Sequence, residues 1–125
     1  MFNMVINCFN LLIISPILEW FIHYMLHIIN NTFHKNHHLE FHKDKKKINI
    51  EVWPIFFIII CFYYQYYIYS LSFLRYYIIH TLTHKNKHLV ESYSTHHKIH
   101  HMYPNCNFAV SSIWPDKLFG TEYKI

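Results

Sequence analysis

Glycine is almost absent from this sequence, with one among 125 residues. Phosphate-cradling loops, dinucleotide-binding fingerprints and the G-x-S-x-G nucleophile elbow all require glycines at fixed spacings. The scarcity therefore excludes nucleotide-binding folds, and the chain also lacks a Ser/His/Asp signature. The one glycine, Gly120, lies in the segment LFGT, where we expect it to adopt a positive φ at a turn.

Cysteine is sparse as well, and the basic residues are clustered. Cys8, Cys61 and Cys106 lie far apart without a CxxC pair, so we predict free thiols and no disulfide framework. The formal net charge is +4 with histidine neutral. There is no arginine-rich or aromatic-interleaved basic face of the kind that binds nucleic acid. The charge therefore favours a membrane surface as partner, and we expect no nucleic-acid partner.

Apolar side chains are abundant, since 53% of the residues are hydrophobic. Residues 1–18 are predicted to form a membrane helix that continues past Trp20. Residues 52–79 are predicted to form a hairpin of two short or re-entrant helices. A single span there would put the histidines before it and after it on opposite sides of the bilayer. The lysine cluster then places the histidines on the cytosolic side, in an endoplasmic reticulum-like membrane if the host is eukaryotic. That cluster comprises Lys43, Lys45, Lys46 and Lys47.

Thirteen histidines are present, and ten of them fall into a doubled pattern of HxxxH followed by HxxHH. In chain order the boxes are His23/His27, His34/His37/His38, His80/His84 and His97/His100/His101. Positions i, i+3 and i+4 share one face of a helix, so each box is expected to aim its imidazoles at one point. A lone histidine is more often a core residue than a ligand. Core packing requires no doubled pattern, however, so the boxes indicate a metal site.

Three histidines lie outside the boxes, and their register stays open. His42, His88 and His96 are expected to orient ligands or to lie at the surface. Each is also four residues from a box member and could replace it. Glu19 is interpreted either as a carboxylate that orients a histidine N–H or as an interfacial residue. The alternative pairs are His38/His42, His84/His88 and His96/His100.

Ten converging imidazoles fit two metal ions better than one. Neutral imidazole is a good ligand for iron, zinc, copper and nickel, and one ion takes about four to six ligands. Two ions with about five nitrogens each use the full set. Without cysteine or paired carboxylate ligands, this set favours a di-iron centre that activates O₂ for attack on an unactivated C–H bond. Nearby membrane segments make a lipid the expected substrate.

The segments EWFIHYMLH, HKNHH, HTLTH and HHKIHH, followed by NF and DKLFGT, resemble the fatty acid hydroxylase/sterol desaturase superfamily of membrane di-iron enzymes. The resemblance runs from about Glu19 to Thr121 and keeps the box order of that family. It implies an all-α fold: a compact integral-membrane helical bundle, built on four helices, with a cytosolic histidine-rich di-metal cap. We expect residues 1–125 to form this single domain.

The resemblance also implies a cofactor set and a ligand set. The cap would hold two iron ions, or zinc in a structure, and would use O₂. Electrons would come from a cytochrome b5-type or reductase donor. By position, the metal ligands would be His23, His27, His34, His37, His38, His80, His84, His97, His100 and His101.

The chain departs from the family pattern, and alternatives stay open. Only 41 residues separate His38 from His80, and Ala109 follows NF where many relatives have glycine. Pro115 also separates Trp114 from Asp116.

We predict an O₂-dependent oxidoreductase that hydroxylates or desaturates a lipid such as a fatty acyl chain or sterol.

Two alternatives to this function are retained. One is a carotenoid hydroxylase-like enzyme, and the other is a shortened, catalytically inactive member with a metal-binding or partner-binding role. A metal transporter is disfavoured, because the histidines lie in polar stretches beside the apolar ones. The expected partners are a lipid substrate, the membrane and an electron-transfer protein, and a homo-oligomer is allowed.

Overall fold

A computed structural model describes residues 2–43, 51–85 and 87–125, and every regular element in these ranges is helical. The all-α prediction is therefore confirmed for this part of the chain, while the assignment of residues 1–125 to one domain stays a prediction. The helices in chain order are α1 (Phe2–Phe9), α2 (Ser15–Ile28), α3 (Thr32–Lys43), α4 (Trp53–Tyr63), α5 (Tyr67–Lys85), α6 (Glu91–Met102) and α7 (Trp114–Phe119). A π-helical turn (Asn10–Ile14) and a 3₁₀ turn (Lys87–Val90) complete the set.

α1, the π turn and α2 form one continuous helical segment. Pro16 lies at the start of α2 and has no N–H to donate to the preceding turn. The π turn comes directly before it, and there the Ser15 N–H bonds to the Asn10 carbonyl, five residues back. The wider turn accommodates the proline without ending the helix. The predicted continuation past Trp20 is observed, so the first histidine box lies on a long apolar helix.

One helix in the described residues, Asn3–Ile28, is long and apolar enough to cross a membrane, as judged by length and composition. Its 26 residues span about 39 Å at ~1.5 Å per residue, against a hydrocarbon core of ~30 Å. Its large apolar side chains are mostly exposed, among them Met4, Leu12 and Phe21, unlike those of a soluble core helix. The integral-membrane bundle otherwise stays a prediction. Most of the lysine cluster (Lys45, Lys46 and Lys47) lies outside the described residues, so the cytosolic placement also stays a prediction.

α4 and α5 form the helical hairpin predicted for residues 52–79. The chain reverses at Gln65, whose φ of 63° is left-handed. The Phe57 and Phe73 rings stack across the hairpin with centroids 5.1 Å apart. The Ser70 hydroxyl donates to the Ile58 carbonyl at 3.0 Å. The second arm is longer than the first because α5 continues beyond the apolar stretch and carries the second HxxxH box.

The C-terminal segment folds around one buried carboxylate. Asp116, in the first turn of α7, accepts the backbone N–H groups of Phe108 at 2.9 Å and Ala109 at 2.8 Å. Its Oδ1 also accepts from the Trp20 indole at 3.0 Å and from the Thr121 hydroxyl at 2.7 Å. Trp20, Phe108 and Ala109 form a buried apolar cluster. These contacts fasten the segment after α6 to α2.

The proline and glycine positions explain where the last helices begin and end. α6 ends at Met102, two residues before Pro104, as predicted. Pro115 lies in the first turn of α7, where its missing N–H has no intrahelical partner to lose. The predicted turn at Gly120 is confirmed, with a φ of 69° in the left-handed region.

Candidate metal centre

The four histidine boxes, on α2, α3, α5 and α6, come together as two groups of five side chains. Within each group, the ligand atoms all lie within 4.8 Å of one another. The first group is His23, His27, His34, His38 and His100. The second group is His37, His80, His84, His97 and His101. The structure thus brings together all ten residues that the boxes singled out, while their role as metal ligands stays a prediction.

The two HxxHH boxes do not each aim at one point, and that expectation is wrong. In α3, His34 and His38 join the first group, whereas His37 joins the second. In α6, His97 and His101 lie in the second group, whereas His100 lies in the first. Successive helical residues are rotated by about 100°, so the side chains at i and i+4 point within about 40° of each other. The side chain at i+3 stops short of a full turn and therefore lies on the other side of i from i+4. One HxxHH box can therefore serve two adjacent groups.

Nε2 atoms converge in the second group in a way that hydrogen bonds cannot satisfy. The Nε2 atoms of His80, His84 and His97 form a triangle with sides of 2.9, 3.1 and 3.3 Å. A neutral imidazole nitrogen is either a donor or an acceptor, so at least one side of such a triangle is mismatched. His101 Nε2 adds a fourth atom, 3.0 Å from that of His97. A cation among these nitrogens would accept all of their lone pairs.

The first group repeats this arrangement. His34 Nε2 lies 3.1 Å from His23 Nε2 and 2.8 Å from His27 Nε2. His27 Nε2 lies 3.1 Å from His100 Nε2. Two nitrogens bound at right angles about 2.1 Å from one ion would lie about 3.0 Å apart. The spacing in both groups therefore fits nitrogen ligands around a metal ion.

In three histidines of the first group, the opposite ring nitrogen, Nδ1, donates to an acceptor. Within the first group, His23 Nδ1 donates to the Phe108 carbonyl and His100 Nδ1 donates to the Cys106 carbonyl at 2.7 Å. His34 Nδ1 donates to the Glu51 carboxylate. A proton held on Nδ1 leaves the Nε2 lone pair directed into the group, which is how metal-binding histidines are oriented.

His38 supplies a second observation in favour of a metal. Both of its ring nitrogens are buried, and neither has a hydrogen-bond partner among the described residues. Burying a polar atom without a partner costs about 1–3 kcal/mol. An ion in the first group would remove that penalty at one nitrogen, so the donor set fits a metal.

Burial favours the neutral form, which binds metal, in the imidazoles whose pKa it lowers, His97 and His100 among them. Burial lowers the pKa of His100 to about 3. It also lowers the pKa of His97 well below its ordinary value, with a further contribution from neighbouring histidines. For Glu51, burial alone would raise the pKa, but the hydrogen bond from His34 and the electrostatic effect of neighbouring histidines together outweigh burial, so the pKa lies below its usual range. At neutral pH the His97 and His100 rings are therefore neutral and the Glu51 carboxylate is ionised.

The three histidines outside the boxes lie outside both groups. His96 is buried, and its ring donates from Nε2 to Asp116 Oδ2 at 2.7 Å. His42 is exposed and its Nε2 donates to the His101 carbonyl at 3.1 Å. His88 is exposed in the 3₁₀ turn. The box members, and not these alternatives, therefore occupy the two groups.

Two acidic residues near the centre have roles that the sequence did not indicate. Glu51 contacts His34, but as a single acid after a polar stretch it has no spacing that marks it. Asp116 holds the loop whose carbonyls face His23 and His100; only its place in DKLFGT marked it. Glu19, considered as a histidine-orienting carboxylate, accepts instead from the Ser72 and Ser111 hydroxyls.

Two cavities open beside the first group. One has a volume of about 160 Å³ and is bordered by His27, His34, His38 and Lys35. The other has a volume of about 340 Å³ and is bordered by His27 and Phe108. Because His27 is only partly buried and borders both cavities, the first group is open to small molecules on that side.

The described residues, whose regular elements are all helical, carry two adjacent groups of five histidines, which is a donor set suited to a dinuclear metal protein. The chain belongs to the fatty acid hydroxylase family, whose model matches residues 8–121, and so to the fatty acid hydroxylase/sterol desaturase superfamily. No curated protein and no solved structure matched the chain. The family is typically metal-dependent and usually membrane-associated, and membership suggests a hydroxylase-type oxidoreductase.

Proposed function

We propose that this protein is an O₂-dependent di-iron oxidoreductase that hydroxylates or desaturates a lipid, such as a fatty acyl chain or a sterol. The observation that carries the proposal is the sorting of ten box histidines into two groups of five, within a chain of the fatty acid hydroxylase family. Five nitrogens leave one position open on an ion that takes about six ligands, which suits a centre that must also admit O₂.

The residues of the chain would bind the metals and control their surroundings. The ten histidines would hold two iron ions, which when bound supply the activation of O₂ that an unreactive C–H bond requires. The carbonyls of Phe108 and Cys106 hold protons at His23 Nδ1 and His100 Nδ1, so that Nε2 is the ligating atom. Buried residues on α5 and α6, including His97 and His101, limit water at the second group.

A lipid substrate is supported by the position of the centre along the chain. The first box lies at the end of the long apolar helix Asn3–Ile28. The second HxxxH box follows directly on the apolar part of α5. Both would place the metals at the boundary between bilayer and water, where an acyl chain enters from the membrane. Electrons would be delivered by a cytochrome b5-type or reductase partner on the cytosolic side.

The proposed activity can be tested in membranes that contain the protein, iron and a reductase system. Lipids from these membranes would be compared by mass spectrometry for the parent chain, His100→Ala and the control His88→Ala. We expect oxidised or desaturated lipid from the parent chain and from His88→Ala, because His88 lies outside both groups. His100→Ala should lower the product by about 100-fold, since it removes a ligand.

The products also separate the alternatives. An oxidised carotenoid, without an oxidised acyl lipid or sterol, would identify a carotenoid hydroxylase-like enzyme. A metal-loaded parent chain that forms no product from any of the three lipid classes would contradict the proposed activity. It would leave a family member that binds metal without turnover.

A further inference from the structure

Glu51 lies between the two histidine groups and contacts both. Its side chain is buried, and Oε1 accepts a hydrogen bond from Nδ1 of His34, a member of the first group. Oε2 lies 3.7 Å from Nδ1 of His80, a member of the second group. The Trp53 indole, at the start of α4, donates to the same Oε2 at 3.0 Å. The two carboxylate oxygens thus face different groups.

We propose that Glu51 is a positioning residue shared by both metal sites, an inference that rests on the proposed dinuclear centre. Through Oε1 it fixes the tautomer and ring direction of His34. Through Oε2 it attracts the Nδ1–H of His80 and directs the Nε2 lone pair of that residue into the second group. One carboxylate therefore sets the affinity of two metal sites, and its loss weakens both.

Charge gives the same carboxylate a second effect on both sites. Divalent ions would bring positive charge into a buried region lined by histidine side chains. An ionised carboxylate next to a histidine ligand raises the basicity of that ligand and offsets part of the metal charge. Because Glu51 reaches a ligand of each group, this effect acts on both ions. Trp53 keeps the carboxylate in place by occupying Oε2 with a neutral donor.

The packing of α4 on α5 explains how Glu51, which lies on none of the box helices, reaches both groups. Glu51 precedes α4, and Trp53 packs on Tyr76 of α5 with ring centroids 4.9 Å apart. Tyr76 is one helical turn before His80. The start of α4 is thereby fixed against the helix that carries His80 and His84, and Glu51 reaches His34 of α3 from that position.

The test is a Co²⁺ titration of metal-free protein in detergent, followed by the visible ligand-field bands of bound cobalt. Each site is isolated first: His84→Ala leaves the first group complete, and His100→Ala leaves the second complete. Glu51→Gln, which keeps the shape and removes the charge, is then added to each background. We expect about 10- to 100-fold weaker cobalt binding in both backgrounds, with shifted bands. The control Glu91→Gln, an exposed acid at the start of α6, should change neither.

The outcomes are distinct. Unchanged affinity in either background would overturn the shared role, as would an equal loss in Glu91→Gln. If circular dichroism shows that Glu51→Gln is unfolded, Trp53→Phe decides, because it keeps the carboxylate and frees Oε2. That variant should alter the cobalt bands of the second site, and unaltered bands would overturn the proposal. A parent chain that binds no stoichiometric Co²⁺ would instead contradict the proposed function itself.

Discussion

Single polar atoms decide which histidine nitrogens face the centre. The carbonyls of Phe108 and Cys106 accept from Nδ1 of two box histidines, His23 and His100, and the loop that carries these carbonyls is held by Asp116. Asp116 has no solvent exposure and accepts hydrogen bonds from backbone, indole, hydroxyl and imidazole groups. The stability of the fold and the orientation of these two histidines therefore depend on the same carboxylate.

Replacing Asp116 by asparagine should destabilise the protein strongly. The asparagine amide keeps one acceptor oxygen, but its NH₂ group is a donor. It would face the N–H donors of two backbone groups and of the Trp20 indole. We expect the free energy of unfolding to fall by about 2–4 kcal/mol, measured by denaturant unfolding in detergent. The control Glu122→Gln, a partly exposed acid near the C-terminus, should stay within about 0.5 kcal/mol of the parent. A near-neutral Asp116→Asn would contradict the central role of this carboxylate.

Lowering the pH should remove the stabilisation that the ionised Asp116 carboxylate gives to the fold. Burial would raise the pKa of Asp116, but the hydrogen bonds from His96, Thr121 and Ala109 outweigh it and hold the pKa below its ordinary value. A carboxyl whose pKa is lower in the folded state stabilises the fold above its unfolded pKa of roughly 4, and this is lost as the pH falls through the folded pKa. The stability difference between the parent and Asp116→Asn should therefore shrink below about pH 4. A difference that stays constant down to pH 2 would argue against an ionised Asp116.

At the scale of the helix, each HxxHH box contributes to both histidine groups. His37 lies in the second group although its box neighbours His34 and His38 lie in the first. The double variant His37→Ala/His97→Ala should therefore empty one site and leave about one metal ion per chain. His34→Ala/His97→Ala should deplete both sites. Elemental analysis of the two purified double variants measures this, and identical metal contents would contradict the split.

The sequence predicted the helical elements better than their contacts. The periodic spacing was enough to predict that the ten box histidines lie together. The presence of histidines on both sides of residues 52–79 was enough to predict the hairpin. The split of each HxxHH box was missed because sharing a face was taken to mean a single target. Glu51 was missed because its contacts depend on how the start of α4 packs against α5. The partners of Asp116 are partly backbone N–H groups, which no residue type reveals.

At the scale of the whole molecule, the hairpin should return the chain to the side from which it entered the membrane. Asn36 on α3 and Ser92 on α6 are exposed residues of helices that carry boxes from before and after the hairpin. In a background with Cys8, Cys61 and Cys106 replaced by alanine, Asn36→Cys and Ser92→Cys should both react with a membrane-impermeant maleimide added from the cytosolic side. Labelling of the two variants from opposite sides would show a single span and contradict the hairpin topology.

The metal content of freshly purified protein tests the central claim most directly. We predict about two metal ions per chain by elemental analysis, and about one in His84→Ala and one in His100→Ala, because the two residues belong to different groups. Folded parent protein without stoichiometric metal, or variants that keep the full amount, would contradict a dinuclear centre built from the ten histidines.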